Sequence, residues 1–169
     1  MTVSWAAFRA AEPEFADVVR ARFAAFQHHV LATLRPDGSP RLSGLEGDFR
    51  GDELWLGMMI GSRKALDLRR DPRFSMHANP GTGTGMHGGD VRVSGRAVEV
   101  SDPEEFARYA AGAEQGEAPE RFHLFRAELS EVVRVTIEDP HIVFQVWHPG
   151  HALRTIRRAD QDSTVLEDV

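Results

Sequence analysis

The densest chemistry in the chain is the tripeptide Ser62-Arg63-Lys64. A hydroxyl, a guanidinium and the chain's single lysine stand just after Gly61, where a strand-like run ends and a short amphipathic stretch, 63–70, begins. Ser62 occupies a helix-cap position, and Arg63 and Lys64 fall in the first turn. The N–H groups of a first turn already carry partial positive charge, so two cations there are unfavourable unless an anion joins them. A phosphate would accept hydrogen bonds from those N–H groups, from the Ser62 hydroxyl and from the Arg63 fork. The ordinary alternative is a solvated helix end whose cations meet Asp67 or Asp71. Local chemistry leaves both open.

Other chemistries are excluded more simply. The chain has no cysteine, which removes disulfides, thiolate metal sites and a thiol nucleophile. Histidines 28, 29, 77, 87, 123, 141, 148 and 151 form no tight ligand set. His148 and His151 are three apart, but Pro149-Gly150 between them opposes a helix. These histidines are expected in loops and on the surface, with His87 kept as a candidate substrate contact. No metal is expected, and no Ser-His-Asp arrangement follows from spacing. A net charge of −6, from 26 acidic and 20 basic residues, disfavours a nucleic-acid partner. No apolar run approaches the roughly 18 residues of a membrane span, and 1–11 lacks a basic-then-apolar leader pattern. The expectation is a cytoplasmic protein with no membrane partner.

The elements that must position Ser62-Arg63-Lys64 follow from periodicity. Residues 12–26 read as an amphipathic helix, with Phe15, Val18, Val19, Phe23 and Phe26 on one side and Asp17, Arg20 and Arg22 largely on the other. His29 to Leu34 and Pro40 to Phe49 read as strands joined through Asp37-Gly38, a strong hairpin signal. Glu53 to Met59 is a third strand, Arg63 to Arg70 a short helix closed by Asp71-Pro72, and Arg73 to Asn79 a further strand. A glycine-rich loop at 80–89 leads into a long strand, Asp90 to Val100. Asp102-Pro103 followed by Glu105 starts a helix reaching about Ala111. A second helical segment is expected near 119–128, then strands Glu131 to Ile137 and Ile142 to Trp147, and a polar tail over 159–169. Meandering strands with tight turns predict one mainly β (α+β) domain over 1–158, an antiparallel and at least partly closed barrel with flanking helices. No G-x-G-x-x-G joins a strand to a helix, so a dinucleotide-binding parallel sheet is not expected.

The order of these pieces, LATLRPDGSPRLSGLEGDFRGDELWLG, then SRKALDLRRDPRFSMHAN, then the closing VWHPGHALRTIRR, resembles the pyridoxamine 5'-phosphate oxidase-related family of FMN-binding split-barrel flavoproteins. The likeness runs from about Phe26 to Arg158. It implies a split β-barrel, an FMN cofactor, a homodimer and hydride transfer to or from a small-molecule substrate. Carried onto this chain, it assigns the phosphate to Ser62, Arg63 and Lys64, and the flavin ring to Arg41, Leu42 and Ser43 on one strand and Gly57, Met58 and Met59 on another. It further implies that Trp147 and Arg157, with Arg154 as a rival, approach the cofactor from the partner subunit. Core packing is the plain alternative for Leu42, Met58, Met59 and Trp147, and a strand-surface charge for Arg41. The Arg/His pattern that holds pyridoxal phosphate in the true oxidases is not clearly present, so the substrate is open. Three other readings share the fold: a coenzyme F-420 (deazaflavin) reductase whose tail lies along Arg63, Lys64, Arg69 and Arg70, a non-enzymatic flavin- or haem-binding protein, and a structural module without cofactor.

Overall fold

A computed structural model describes residues 1–82, 86, 88–111 and 122–159, and the backbone of 165–168. Two helices open the chain, α1 (Trp5–Ala11) and α2 (Pro13–Ala24). The sequence reading gave one helix over 12–26. The break falls at Glu12, which ends α1 and precedes Pro13 at the first position of α2. Ser4 caps α1, its hydroxyl accepting from the Ala7 N–H at 3.2 Å. Phe15, Val19 and Phe23 are buried as expected, while Val18 and Phe26 are exposed and Arg22 is buried. Arg22 turns inward because it donates to the carbonyls of Gly89 (2.8 Å) and Asn79 (2.5 Å), clamping both stems of the glycine-rich loop.

The strands are β1 (His29–Leu34), β2 (Pro40–Leu45), β3 (Gly47–Arg50), β4 (Glu53–Met59), β5 (Arg73–His77), β6 (Asp90–Glu99), β7 (Phe122–Glu138), β8 (His141–Trp147), β9 (Arg154–Ala159) and β10 (Val165–Asp168). Two further helices, α3 (Arg63–Arg70) and α4 (Pro103–Ala110), interrupt them. Every strand pairing is antiparallel. Pairing runs β2–β1–β5–β6–β7–β4–β3, and only Glu46 separates β2 from β3. The path therefore returns to its starting strand and closes a barrel, with β8, β9 and β10 extending the sheet from β7. The expected strand Pro40 to Phe49 is thus one strand that changes partner. Its first half pairs with β1 (Thr33 opposite Arg41) and its second with β4 (Gly47 opposite Leu56).

Two expectations are corrected here. From Phe122 onward the chain is strand, not the helix expected near 119–128; residues 112–121 lie outside the described set. Phe125, Ala127 and Leu129 face the main core, while Leu124 packs on the other face with Trp55, Phe106 and Tyr109. A strand apolar on both faces loses its period of two and reads like a buried helix. Within the stretch expected as a tail, Val165–Asp168 pairs with β9, Val165 opposite Arg158. The expectation for α4 is met, with the Asp102 side chain accepting from the Glu104 N–H at 2.9 Å.

Inside the barrel, Leu31, Leu56, Met76, Val93 and Leu129 are fully buried, and Ala65 and Leu68 of α3 join the same core. That burial fixes α3 against β1 and β4 and points its first turn along the end of β4.

Candidate cofactor site

Two clefts meet along β2, β3 and β4. One, of about 330 Å³, is lined by Arg35, Arg41, Leu42, Ser43, Gly44, Met59, Ser62, Arg63 and Lys64. The other, of about 680 Å³, shares Gly44, Met59 and Lys64 with it and continues past Gly57 and Met58 to Phe26, His28, Glu46, Asp48, Arg50 and Tyr109. Together they form one trough with a basic end and a mixed polar-aromatic end, each part within the usual size range of small-molecule sites.

At the basic end, Ser62 precedes α3 in extended conformation but makes no side-chain cap bond. Its Oγ is buried and has no hydrogen-bond partner among the described residues. A buried hydroxyl left unpaired in this way costs on the order of 1–3 kcal/mol, which an incoming acceptor would relieve. Arg63 is exposed and forms no ion pair among the described residues. Lys64 Nζ donates to the Gly44 carbonyl at 2.5 Å, and burial pushes its ammonium below the usual lysine range. The expected alternative, in which Asp67 or Asp71 neutralises Arg63 and Lys64, is not what the side chains do. Asp67 is taken by Arg41 and Arg70, and Asp71 by Arg73.

Asp67 is the buried anchor of this end. Arg41 Nε donates to it at 2.6 Å, the Thr33 hydroxyl at 3.0 Å and Arg70 at 3.3 Å. Burial works to raise the Asp67 carboxyl, but the bonds from Arg41, Thr33 and Arg70 outweigh it and hold it below the usual carboxylate range. The Arg41 bond uses Nε, and no bond of its terminal nitrogens occurs among the described residues, so the fork remains available to the cleft. Arg35 reaches across the hairpin to the Pro40 carbonyl at 2.5 Å.

The floor of the trough is flat. A Cβ added at Gly44 or Gly57 would meet nothing within 4 Å. Strand alternation explains the neighbours: Leu54, Leu56 and Met58 point into the core, whereas Gly57 and Met59 point outward. Met58, expected against a cofactor ring, is 3% exposed and is core packing; Leu42 and Met59, at 71% and 78%, are free to cover a ligand face. Ser43 lines the basic end.

Within one chain, neither Trp147 nor Arg157 lines the trough. Trp147 is buried in its own subunit's core against Phe8, with ring centroids 4.6 Å apart. Arg157 lies on β9 near Glu138, at 3.7 Å. Neither Arg69 nor Arg70 lines the trough. Arg69 forms a two-pronged pair with Glu99 (2.7 and 2.6 Å), and Arg70 holds Asp67 and the Leu34 carbonyl. His87 lies outside the described residues, as do 83–85 of its loop. The loop's stem adjoins the trough through Phe26, whose ring lies 3.2 Å from a Cβ built on Gly81. The sequence reading missed Arg35, Gly44, His28, Glu46, Asp48, Arg50 and Tyr109 as lining residues. Asp48 and Arg50 sit beside a turn and carry no signal of their own. Tyr109 arrives from α4, 59 positions beyond Arg50 and 61 beyond Asp48.

An antiparallel barrel closed by a partner-switching strand, with a trough along β2, β3 and β4, defines a split-barrel fold. The chain matches the family model of pyridoxamine 5'-phosphate oxidase over residues 15–136 and belongs to that family. Among solved structures, it is similar to ChuZ from Campylobacter jejuni at TM-score 0.61 and 16% identity, covering 82% of this chain and 61% of that one. A pyridoxamine 5'-phosphate oxidase-related, FMN-binding protein from Nostoc punctiforme aligns at TM-score 0.56 and 15% identity over 93% and 94% of the two chains. PhzG from Burkholderia lata, in complex with tetrahydrophenazine-1-carboxylic acid, aligns at 0.51 and 18% over 95% and 90%. At these identities the likeness speaks for the fold. No curated protein matches the sequence. No helix among the described residues is long and apolar enough to cross a membrane.

Proposed function

We propose that this protein binds FMN in the trough and acts as an FMN-dependent oxidoreductase on a small molecule. The observation that carries the reading is the buried, unpartnered Ser62 hydroxyl beside two cations that no carboxylate among the described residues neutralises. Ser62, Arg63 and the free fork of Arg41 would hold the phosphate, and Lys64 would add charge between the basic end and the floor. Gly44 and Gly57 leave room for a planar ring, with Leu42 and Met59 against its faces. Bound FMN supplies hydride transfer, so no side chain of this chain need act as acid or base.

The far end of the trough is where a substrate would meet the protein. Arg50 lies over the Tyr109 ring at 4.5 Å from its centroid and pairs with Asp48 at 2.5 Å, and His28 pairs with Glu46 at 3.2 Å. These groups present aromatic surface and balanced charge rather than a second strongly basic pocket. Leu42, Met59, Ile60 and Leu66 are exposed beside the basic end, an apolar rim that a second copy of the chain would cover in a homodimer. FMN is favoured over the deazaflavin because Arg69 and Arg70 are already committed to Glu99 and Asp67.

The test is a side-by-side titration of the purified protein with FMN, the deazaflavin and haem, followed by fluorescence and absorbance, with light scattering for the oligomer. Tight binding of FMN by a dimer supports the reading. Preference for the deazaflavin or haem, or binding of none, overturns it.

A further inference from the structure

The turn that presents Ser62 is held from behind by side chains outside the trough. The Ser62 N–H donates to the Met59 carbonyl at 3.1 Å, closing a four-residue turn whose third residue, Gly61, has φ +69. In such a turn the third residue's N–H finds no partner within the turn itself. Here it donates to His123 Nε2 at 3.2 Å. His123 lies on β7 opposite Met58 and is 8% exposed.

This bond fixes the state of the ring. A backbone N–H only donates, so Nε2 is the acceptor and the proton of the neutral imidazole sits on Nδ1. Nδ1 faces Glu99 Oε1 at 3.1 Å, and Glu99 is gripped by Arg69. Arg69's hydrogen bonds above all, joined by that of His123, hold the Glu99 carboxyl below the usual range against its partial burial. Arg69 Nη2 lies 3.2 Å from Nδ1 but makes no hydrogen bond to it in this tautomer, since both groups donate and both are turned to Glu99. The chain Arg69–Glu99–His123–Gly61 thus ends on the residue next to Ser62, and its members come from α3, β6, β7 and the turn itself.

We propose that His123 is a positioning residue for the phosphate end of the site: oriented by Glu99, it holds the Gly61 turn and so sets the Ser62 hydroxyl and the first turn of α3 for the flavin phosphate. The inference rests on the phosphate reading above. What matters is an acceptor at the Nε2 position. Glutamine places its carbonyl oxygen near Nε2 and keeps that acceptor. Asparagine reaches only as far as Nδ1, keeping the contact with Glu99 and leaving the Gly61 N–H unpartnered.

The experiment compares FMN with riboflavin, which lacks the phosphate, on the wild type, H123Q and H123N, alongside melting temperatures. H123Q is expected to keep FMN affinity within about threefold, and H123N to weaken it about tenfold, with riboflavin affinity unchanged in both. Equal loss of FMN and riboflavin in H123N, equal behaviour of the two variants, or full FMN affinity in H123N overturns the proposal. A wild type that binds FMN no tighter than riboflavin fails at the earlier step, because the turn then holds no phosphate for His123 to position.

Discussion

Replacing Asp67 by asparagine removes a buried charge on which two arginines and a threonine converge. The Asp67 side chain is 4% exposed, while those of Arg41 and Arg70 are 23% and 38% exposed. Breaking a fully buried pair by losing one partner costs about 3–5 kcal/mol. Both arginines see some water, and the amide oxygen of asparagine still accepts from Thr33, so about 2–3 kcal/mol is expected here. For a chain of this length each kcal/mol moves the melting temperature by about 2–4 °C, giving a fall of about 4–12 °C at pH 7. The sign of the pH dependence follows from the depressed carboxyl. Its stabilisation is fully present above the unfolded value near 3.9 and fades as pH falls through the lower folded value. Thermal unfolding of wild type and D67N from pH 8 to pH 3 should give a constant gap down to about pH 5, narrowing below about pH 4. A melting temperature within about 1 °C of wild type at pH 7, or a gap that widens on acidification, would refute the reasoning.

Ser62→Ala should weaken FMN about tenfold by fluorescence titration without lowering the melting temperature, since the hydroxyl has no partner to lose. Gly57→Leu should leave the circular dichroism spectrum and melting temperature close to wild type while abolishing flavin binding, because the added side chain enters open space over the trough floor. Gly95→Ala should destabilise strongly or prevent soluble expression. Its Cβ would lie 1.8 Å from the Glu128 carbonyl oxygen at the β6–β7 register shift, and a backbone atom cannot swing aside.

The parts legible in the sequence were those written in local rules. Asp37-Gly38 marked the β1–β2 hairpin, Asp102-Pro103 marked the start of α4, and the amphipathic stretch after Ser62 marked α3. The grouping at the head of α3 was legible too, because Ser62, Arg63 and Lys64 are neighbours in the chain and their charge pattern conflicts with a bare helix end. What stayed hidden depends on long-range contacts. The early strand of β7 was hidden because α4 covers the face that would otherwise be polar, burying Leu124 and Trp55. Trp147 was assigned through the family resemblance alone, and its burial against Phe8 depends on α1, a helix that the sequence pattern did not signal. The pairing of Asp67 with Arg41 rather than with Arg63 depends on the β1–β2 register, which places Arg41 opposite the buried Thr33. His123 looked like one of several scattered histidines until the β4–β7 pairing set it beside the Gly61 turn.

A crystal structure of the protein grown with FMN tests the central claim most directly. The account predicts the phosphate within hydrogen-bonding distance of Ser62 Oγ at the start of α3, with the ring lying over Gly44 and Gly57. A phosphate held away from that turn, or a ring seated elsewhere on the barrel, would contradict it.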